Sequence, residues 1–319
     1  MSLKALFVCD ALHTFATYKD TTFAMMRECA RRGMEIHVAQ LHELRAAASS
    51  PEAGLEVFAH HIHIDNPQAQ PWWVEQTASW QSAKNFAAIF MRKDPPFDVH
   101  YFVATQLLEV AQRQGVKVFN NPQALRDHGE KISALEFAAL TPPTLISADI
   151  KSLKAFAIHH EKIVAKPLDA MGGTGVFVLT AQDPNLPSAL EVLSEAGKKA
   201  IVAQRYIPEI TEGDKRVIII NGKPIDFALA RVPQPGQSRG NLAAGATAKV
   251  IPLSAKDREI ALEVGQKLAS RGLLLIGIDV IGSYLTEINV TSPTGFQEIT
   301  QQSGIDVASV FMDAVQNQL

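Results

Sequence analysis

The stretch LIGIDVIGSYLTEINV, Leu275–Val290, reads as two β-strands, LIGIDV and LTEINV, and the way they pair decides both fold and chemistry. Ile276, Ile278 and Val280 form one face of the first strand, and Ile288 and Val290 form the apolar face of the second. Matching these faces sets Ile278 opposite Ile288. The same register sets Asp279 opposite Glu287 and Gly277 opposite Asn289, so two carboxylates and an amide gather on the other face. A two-residue turn at Gly282-Ser283 would instead bring Ile278 against Glu287, so the pattern predicts a three-residue connection. Facing carboxylates repel unless a cation lies between them. An oxygen-only set with an open side suits Mg²⁺ shared with nucleotide phosphates. The plain structural alternative is a solvated polar face with both acids in water.

A second stretch, KPLDAMGGTGVF (Lys166–Phe177), places a lysine at the end of the strand KIVAK and three glycines at the tip of a hairpin that continues as GVFVL. Backbone without side chains approaches a ligand closely, and exposed N–H groups beside a lysine suit phosphate. A tight hairpin that needs positive φ is the competing reading. The chain lacks G-x-x-x-x-G-K-[ST], and the glycine run has Val178 where G-x-G-x-x-G would end.

Working outward, residues 3–9 read as a buried strand, followed by a helix from Asp20 with apolar spacing through Phe23, Met26 and Ala30 that stops at Gly33. The strand EIHVA, the run FAAIF (86–90), a helix over 102–114 and the strand VKVF complete an alternating α/β block. This predicts an N-terminal doubly wound domain over residues 1–122. Its first strand leads into DALHTF, which has no glycine, so the dinucleotide fingerprint is absent. A central unit, 123–200, contains the helix LRDHGEKISALEFAA, the strand TLI, the helix DIKSLKAFAIHHE and the glycine hairpin. A strand-rich unit, 201–319, has AIVAQRYI, then KRVIII and PIDFALARV joined through Asn221-Gly222, a strong hairpin signal, and a helix near 254–271. Between the latter strands and that helix lies PQPGQSRGNLAAGATAK, 233–249, too long for an ordinary connection and so either disordered or a functional lid.

The chain has 319 residues, a formal net charge of -3 and a pI near 6.4, which gives no global field for nucleic acid or an anionic membrane. Cys9 and Cys29 have no metal spacing and point to a reducing compartment. No run of about 18 apolar residues occurs. A cytoplasmic protein is expected. His60, His61 and His63 are expected on a partly exposed edge. Arg92 and Lys93, in MRKDPP, read either as holders of a substrate carboxylate or as turn decoration; Asp214 and Lys215 read as ribose or phosphate contacts or as a surface ion pair.

Taken together, KDTTFAM, FMRKDPPFD, DHGEKISALEF, KPLDAMGGTGVF, AQRYIPEI, GDKRV, ARVPQPGQSRGNLAAG and GIDVIGSYLTEINVTSPTG resemble the bacterial glutathione synthetases of the ATP-grasp superfamily, in order and over nearly the whole chain. The resemblance implies an N-terminal α/β domain followed by a two-part α+β ATP-grasp domain. It implies that Lys131 and Lys166 lie along the ATP phosphates, that Asp169, Met171, Gly172, Gly173, Thr174 and Gly175 cover them, and that Gln204, Tyr206, Ile207 and Asp214 line the nucleotide. Asp279, Glu287 and Asn289 match the Mg²⁺ ligands, with Mn²⁺ as a substitute. Arg231 matches the residue facing the transferred phosphate, and Arg239 and Asn241 the lid; Arg92, Ser292 and Thr294 fall on the substrate side. The implied reaction joins γ-glutamylcysteine to glycine through an acylphosphate at the expense of ATP, in a cytoplasmic homotetramer. The chain departs from some members at Gln297 and Gly295, where those have arginine and cysteine. Another ATP-grasp carboxylate–amine ligase and a non-catalytic ATP-binding regulator are the rival readings.

Overall fold

The computed structural model describes residues 2–47, 54–169, 173–234 and 247–319. The first sheet has seven strands: β1 (Lys4–Val8), β2 (Glu35–Ala39), β3 (Leu44–Ala46), β4 (Leu55–Ile64), β5 (Trp73–Ser82), β6 (Ala88–Met91) and β7 (Val118–Phe119). Strands β1, β2, β6 and β7 run parallel, as the alternating pattern predicts. Helix α1 (Thr21–Arg31) starts where expected, with the Asp20 carboxylate accepting from the Phe23 N–H at 2.7 Å. Helix α2 (Val99–Arg113) covers the other side of the sheet through Tyr101, Ala104 and Leu108.

The hairpin β4–β5 was not expected. β5 is exposed along almost its whole length, so its sequence shows no alternation. It covers one side of β4, while β2 and β3 pair with the other, which corrects the reading of the histidines as an edge. His60 and His61 are half-buried on an internal strand, and only His63 is exposed.

The second sheet, ordered β10-β9-β11-β8, consists of β8 (Thr144–Ser147), β9 (Lys162–Pro167), β10 (Phe177–Thr180) and β11 (Ile201–Arg205). The single helix expected over 125–139 is instead α3 (Pro122–Asp127) and, after a break, a 3₁₀ turn at Ser133–Phe137. The break has a local cause. The His128 ring Nδ1 donates to the Ala124 carbonyl at 2.7 Å, taking the acceptor that the backbone would need to continue the helix. Helices α4 (Ile150–His160) and α5 (Leu186–Leu193) cover the sheet with Leu153, Ala157 and Leu190.

The third sheet is antiparallel, ordered β14-β13-β12-β15-β16: β12 (Asp214–Ile220), β13 (Lys223–Val232), β14 (Thr247–Pro252), β15 (Leu275–Ile281) and β16 (Tyr284–Asn289). Asn221 and Gly222 both have positive φ, 48° and 77°, in the turn that pairs Ile220 with Lys223. One face, with Val217, Ile219, Ile276 and Ile278, packs on α6 (Ala255–Ala269). The opposite face presents Ile218, Leu229 and Leu275 to Phe296 of α7 (Phe296–Ser303) and to Phe311 of α8 (Val307–Gln316). That cluster continues into Phe7 and Phe90 of the first sheet, so one core joins the two ends of the chain. Among the described residues, no helix is long and apolar enough to cross a membrane.

The β15–β16 hairpin has the expected register at the site: Gly277 faces Asn289, Ile278 faces Ile288, and Asp279 faces Glu287. The expected three-residue connection is corrected. Ile281 pairs with Tyr284 across a two-residue turn, and the register shifts by one between Asp279 and Val280. Thr286 is the extra residue of this bulge, and its hydroxyl donates to the Asp279 carbonyl at 3.1 Å.

Candidate functional site

Along β12, side chains alternate between α6 and the opposite face, and on that opposite face the strand changes from Ile218 to Arg216 and Asp214. The neighbouring strands change with it. Arg231 lies opposite Asp214, and Asp279 lies opposite both Arg216 and Glu287. The facing acids therefore do have cations at hand. Arg216 grips Asp279 with Nε and Nη2 at 2.5 and 3.1 Å, and Arg231 reaches both Asp279, at 3.0 Å, and Asp214, at 2.5 Å. Asp279 and both arginines are buried. Burial pulls the Asp279 carboxyl upward, but Arg216 and Arg231 outweigh it and hold the group below its ordinary range. Burial dominates at Asp214 despite Arg231, and its carboxyl is pushed up to about 6.

Glu287 takes its cation from the other sheet: the Lys166 ammonium, at the end of β9, sits 2.8 Å from its Oε1. Burial opposes ionisation of Glu287, while Lys166 and then Lys131 overcome it and lower its pKa. Lys131 is buried, and its Nζ donates to the Leu168 carbonyl at 3.3 Å, where the glycine loop begins. The Ile288 N–H donates to the Glu130 carbonyl, and Thr291 Oγ1 donates to the Glu130 carboxylate at 2.9 Å, which fixes the Lys131 segment against β16. The expected phosphate lysines and metal ligands thus converge where the second and third sheets meet.

The glycine hairpin forms as expected, with Ala165 opposite Phe177. Gly173 and Gly175 have φ of 80° and 71°, and a Cβ at Gly175 would come within 3.1 Å of Pro167. Thr174 is exposed, and Asp169 pairs with Lys199 at 2.8 Å. Met171, Gly172, Arg239 and Asn241 lie outside the described residues, as does most of the expected lid; Val232 and Thr247, which flank that segment, pair across β13 and β14. Gln204 is buried and donates to Thr144 Oγ1 at 2.9 Å. Tyr206 and Ile207 follow β11 in the link to the third sheet, Ile207 buried and the Tyr206 ring 3.8 Å from the Lys162 ammonium.

On the substrate side, Arg92 is buried rather than decorating a turn. It donates to Thr22 Oγ1 at 3.1 Å and to the Pro293 carbonyl at 3.2 Å, so it supports the turn that carries half-buried Ser292 and exposed Thr294. Lys93 pairs with Asp10 at 2.8 Å. Gln297 is buried, and its amide donates to the Thr17 and Asp20 carbonyls, both at 2.7 Å, tying α7 to the start of α1. A Cβ at Gly277 would lie 2.7 Å from Pro293 Cβ and 3.1 Å from Arg216 Cδ, so the turn and the arginine both use the space this glycine leaves.

Sequence reasoning missed Arg216 and Glu130 as site residues. Strand parity carried a signal for Arg216, which shares a face with Asp214. Lys215 does not: it points to α6 and pairs with Asp257.

A cation fits among the donors present. Asp279, Glu287 and Asn289 form an oxygen-bearing set on one face of a hairpin, the kind hard divalent ions take. Asp214 Oδ1 is buried without a hydrogen-bond partner, which is costly unless a cation or donor meets it, and the Asn289 amide nitrogen is a buried donor that an anionic oxygen would satisfy.

Comparison with known proteins gives two family matches. The prokaryotic glutathione synthetase N-terminal domain matches residues 3–126, and the prokaryotic glutathione synthetase ATP-grasp domain matches residues 130–304. The glutathione synthetase of Neisseria meningitidis is 49% identical over 98% of each chain, and that of Nitrosomonas europaea 46% over 99% of this chain and 98% of its own. Among solved structures, the D-cycloserine synthetase DcsG superposes with a TM-score of 0.67 at 13% identity, covering 99% of both chains. The ATP-grasp ligase PsnB, complexed with minimal precursor, Mg and ADP, gives 0.62 at 16% identity, covering 99% of this chain and 97% of its own. These two likenesses concern the fold.

Proposed function

The chain belongs to the prokaryotic glutathione synthetase family, and from that premise we propose how its residues divide the work of the reaction. It is an ATP-dependent carboxylate–amine ligase that joins γ-glutamylcysteine to glycine, using ATP and a divalent metal. A carboxylate is a poor acyl donor because oxide would have to leave, so one of its oxygens first takes the γ-phosphoryl group and ADP departs. The glycine amine then attacks the acyl carbon, phosphate leaves with the bonding electrons, and the amine proton passes to solvent.

Mg²⁺ is the metal this site would take, with Mn²⁺ as a substitute, held by Asp279, Glu287 and Asn289. When bound it neutralises charge on the β- and γ-phosphate oxygens. The observation that carries the assignment is the Lys166–Glu287 contact at 2.8 Å, which joins the end of the glycine-loop strand to the carboxylate hairpin. A nucleotide entering between the sheets separates that pair, and Lys166 exchanges its carboxylate partner for phosphate, with Lys131 beside it. Arg231 lies beside Asp279 and meets the phosphoryl group as it transfers; Arg216 keeps Asp279 ionised. Asp169, Met171, Gly172, Gly173, Thr174 and Gly175 close over the phosphates, while Gln204, Tyr206, Ile207 and Asp214 hold the rest of the nucleotide. Arg239 and Asn241 shield the acylphosphate from water. Ser292 and Thr294 face the dipeptide from the turn that Arg92 supports. The assembly is a cytoplasmic homotetramer, which sedimentation velocity tests.

ADP release measured with γ-glutamylcysteine, with and without glycine, tests the reading. Fast release only when both are present, with one glutathione formed per ADP, supports it. Equal release with an unrelated dipeptide and amine would replace it with a ligase of different specificity.

A further inference from the structure

At the far end of the first sheet, opposite Arg92 and Asp10, three metal-ligating side chains come together. Glu35 and His37 lie on one face of β2, and His61 is the cross-strand partner of His37 on β4. One donor atom from each lies within 4.8 Å of the other two. The site has a second, independent feature. His37 is 2% exposed, yet both of its ring nitrogens are buried without a hydrogen-bond partner. Glu35 Oε2 lies 3.6 Å from its Nε2, too long for a hydrogen bond. A buried imidazole with neither nitrogen satisfied costs stability unless something meets it.

We propose that Glu35, His37 and His61 form a binding site for one borderline divalent transition-metal ion of the Zn²⁺ type, separate from the Mg²⁺-ATP site. Two imidazoles and a carboxylate leave a fourth position to water, a donor set that favours Zn²⁺ over Mg²⁺. His37 is the fixed member, stacked on His61 at 4.8 Å and edge-on to Phe86 at 5.3 Å. His61 and Glu35 are half-buried, and a groove lined by Glu35, His61 and His63 gives an ion access. Ligands about 2.0–2.1 Å from zinc stand about 3.3 Å apart in a tetrahedron, so the donors close by roughly 1.5 Å at most. The Lys4–Glu35 pair, at 3.9 Å, and the Ser2 hydroxyl that donates to Glu35 give way. Continuing the Ile36–Ile62 register places His63 opposite Glu35, on the rim of the site beside the water position.

The test is calorimetric titration of Zn²⁺ into the full chain, stripped with chelator, desalted and kept in excess Mg²⁺. Visible absorption with Co²⁺ reports the coordination. One Zn²⁺ bound per chain is expected, with His61→Ala and Glu35→Gln each weakening it about tenfold or more, while circular dichroism and ligase turnover stay unchanged. These two positions are chosen because removing His37 would hollow the core beside Phe86. His60→Ala is the control, since His60 lies between Glu43 and Glu75, both at 2.8 Å, on the opposite face of β4. Absence of stoichiometric Zn²⁺ binding would overturn the proposal. Binding that His61→Ala and Glu35→Gln leave intact, or that His60→Ala abolishes, would overturn it equally.

Discussion

Lys215 and Arg216 are neighbours on one strand, both cationic and both paired with a buried aspartate, yet they serve different ends of the molecule. Lys215 turns to the helix side, donating to Asp257 and to the Gly282 carbonyl at 3.1 Å. Asp257 closes the capping box of α6 with Ser254, so this pair fastens a helix start to a sheet. Arg216 turns the other way and holds Asp279 ionised, on the face where Lys166 meets Glu287. Strand parity, rather than residue type or burial, decides which face of the sheet each ion pair occupies, and the proposed reaction uses only one of those faces. Asp257 on the α6 side is satisfied by Lys215 and Ser254, whereas Asp214 on the opposite side keeps a buried oxygen without a partner.

The sharpest way to break the comparison is to remove a cation from the reactive side alone. Lys166→Ala should lower turnover by on the order of 10² or more, because charge growing on the phosphoryl oxygens loses its neutralising partner. Near-normal single-turnover rates would return Lys166 to a structural role. Glu287→Gln should come next, losing most activity and weakening Mg²⁺-ATP. Ordinary magnesium dependence in that variant would remove Glu287 from the metal set.

One pair of variants sets the two neighbours directly against each other. Lys215→Met strands Asp257 and should cost about 1–3 kcal/mol in urea unfolding with turnover nearly intact. Arg216→Met should reduce turnover far more than its own loss of stability explains, since Arg231 still partners Asp279. If both variants lose the same activity per unit of lost stability, parity does not sort the roles.

The smallest effect concerns an ion pair outside both sites. Glu136 accepts from Arg271 at 2.5 and 2.8 Å, with Lys267 at 3.3 Å, and Arg271 first, then Lys267, bring its pKa down to about 2. A carboxylate lowered in the folded state stabilises it above the ordinary pKa, and that contribution disappears as the pH falls from about 4.5 to about 2. With side chains about one-third exposed on both partners, solvent screening limits the effect to about 0.5 kcal/mol. Urea midpoints of the parent and of Glu136→Gln should therefore differ slightly at neutral pH and converge near pH 2. A gap that widens on acidification would reverse the sign.

The carboxylate hairpin was legible because two apolar faces allow one match, and Asn221-Gly222 and Asp20 declared their turn and cap through local chemistry. The roles of Lys131, Arg231 and the nucleotide hinge came from resemblance, since a lysine at a strand end says nothing alone about what it meets. β5 was invisible because WVEQTASWQS is exposed on both faces and so carries no period. The helix break at His128 escaped notice because it depends on one side chain capturing one carbonyl. Gln297 drew attention as a departure, but its donors serve the Thr17 and Asp20 carbonyls, a contact across 280 and 277 positions that no local pattern reveals.

Thr286 has a consequence for how the gene can change. The turn and the carboxylate pair keep different phases, and this one residue absorbs the mismatch. Losing its codon would leave Ile281 facing Tyr284 and Asp279 facing Glu287, with a smoother ladder between them. Losing the codon for Ile288 would carry Asn289 to the α6 side, away from Asp279 and Glu287. Length variation among relatives should therefore fall at position 286 and spare 287–289, and aligned sequences with gaps in the latter would contradict this. A hairpin of this design holds one codon of slack, placed next to residues whose facing depends on the count.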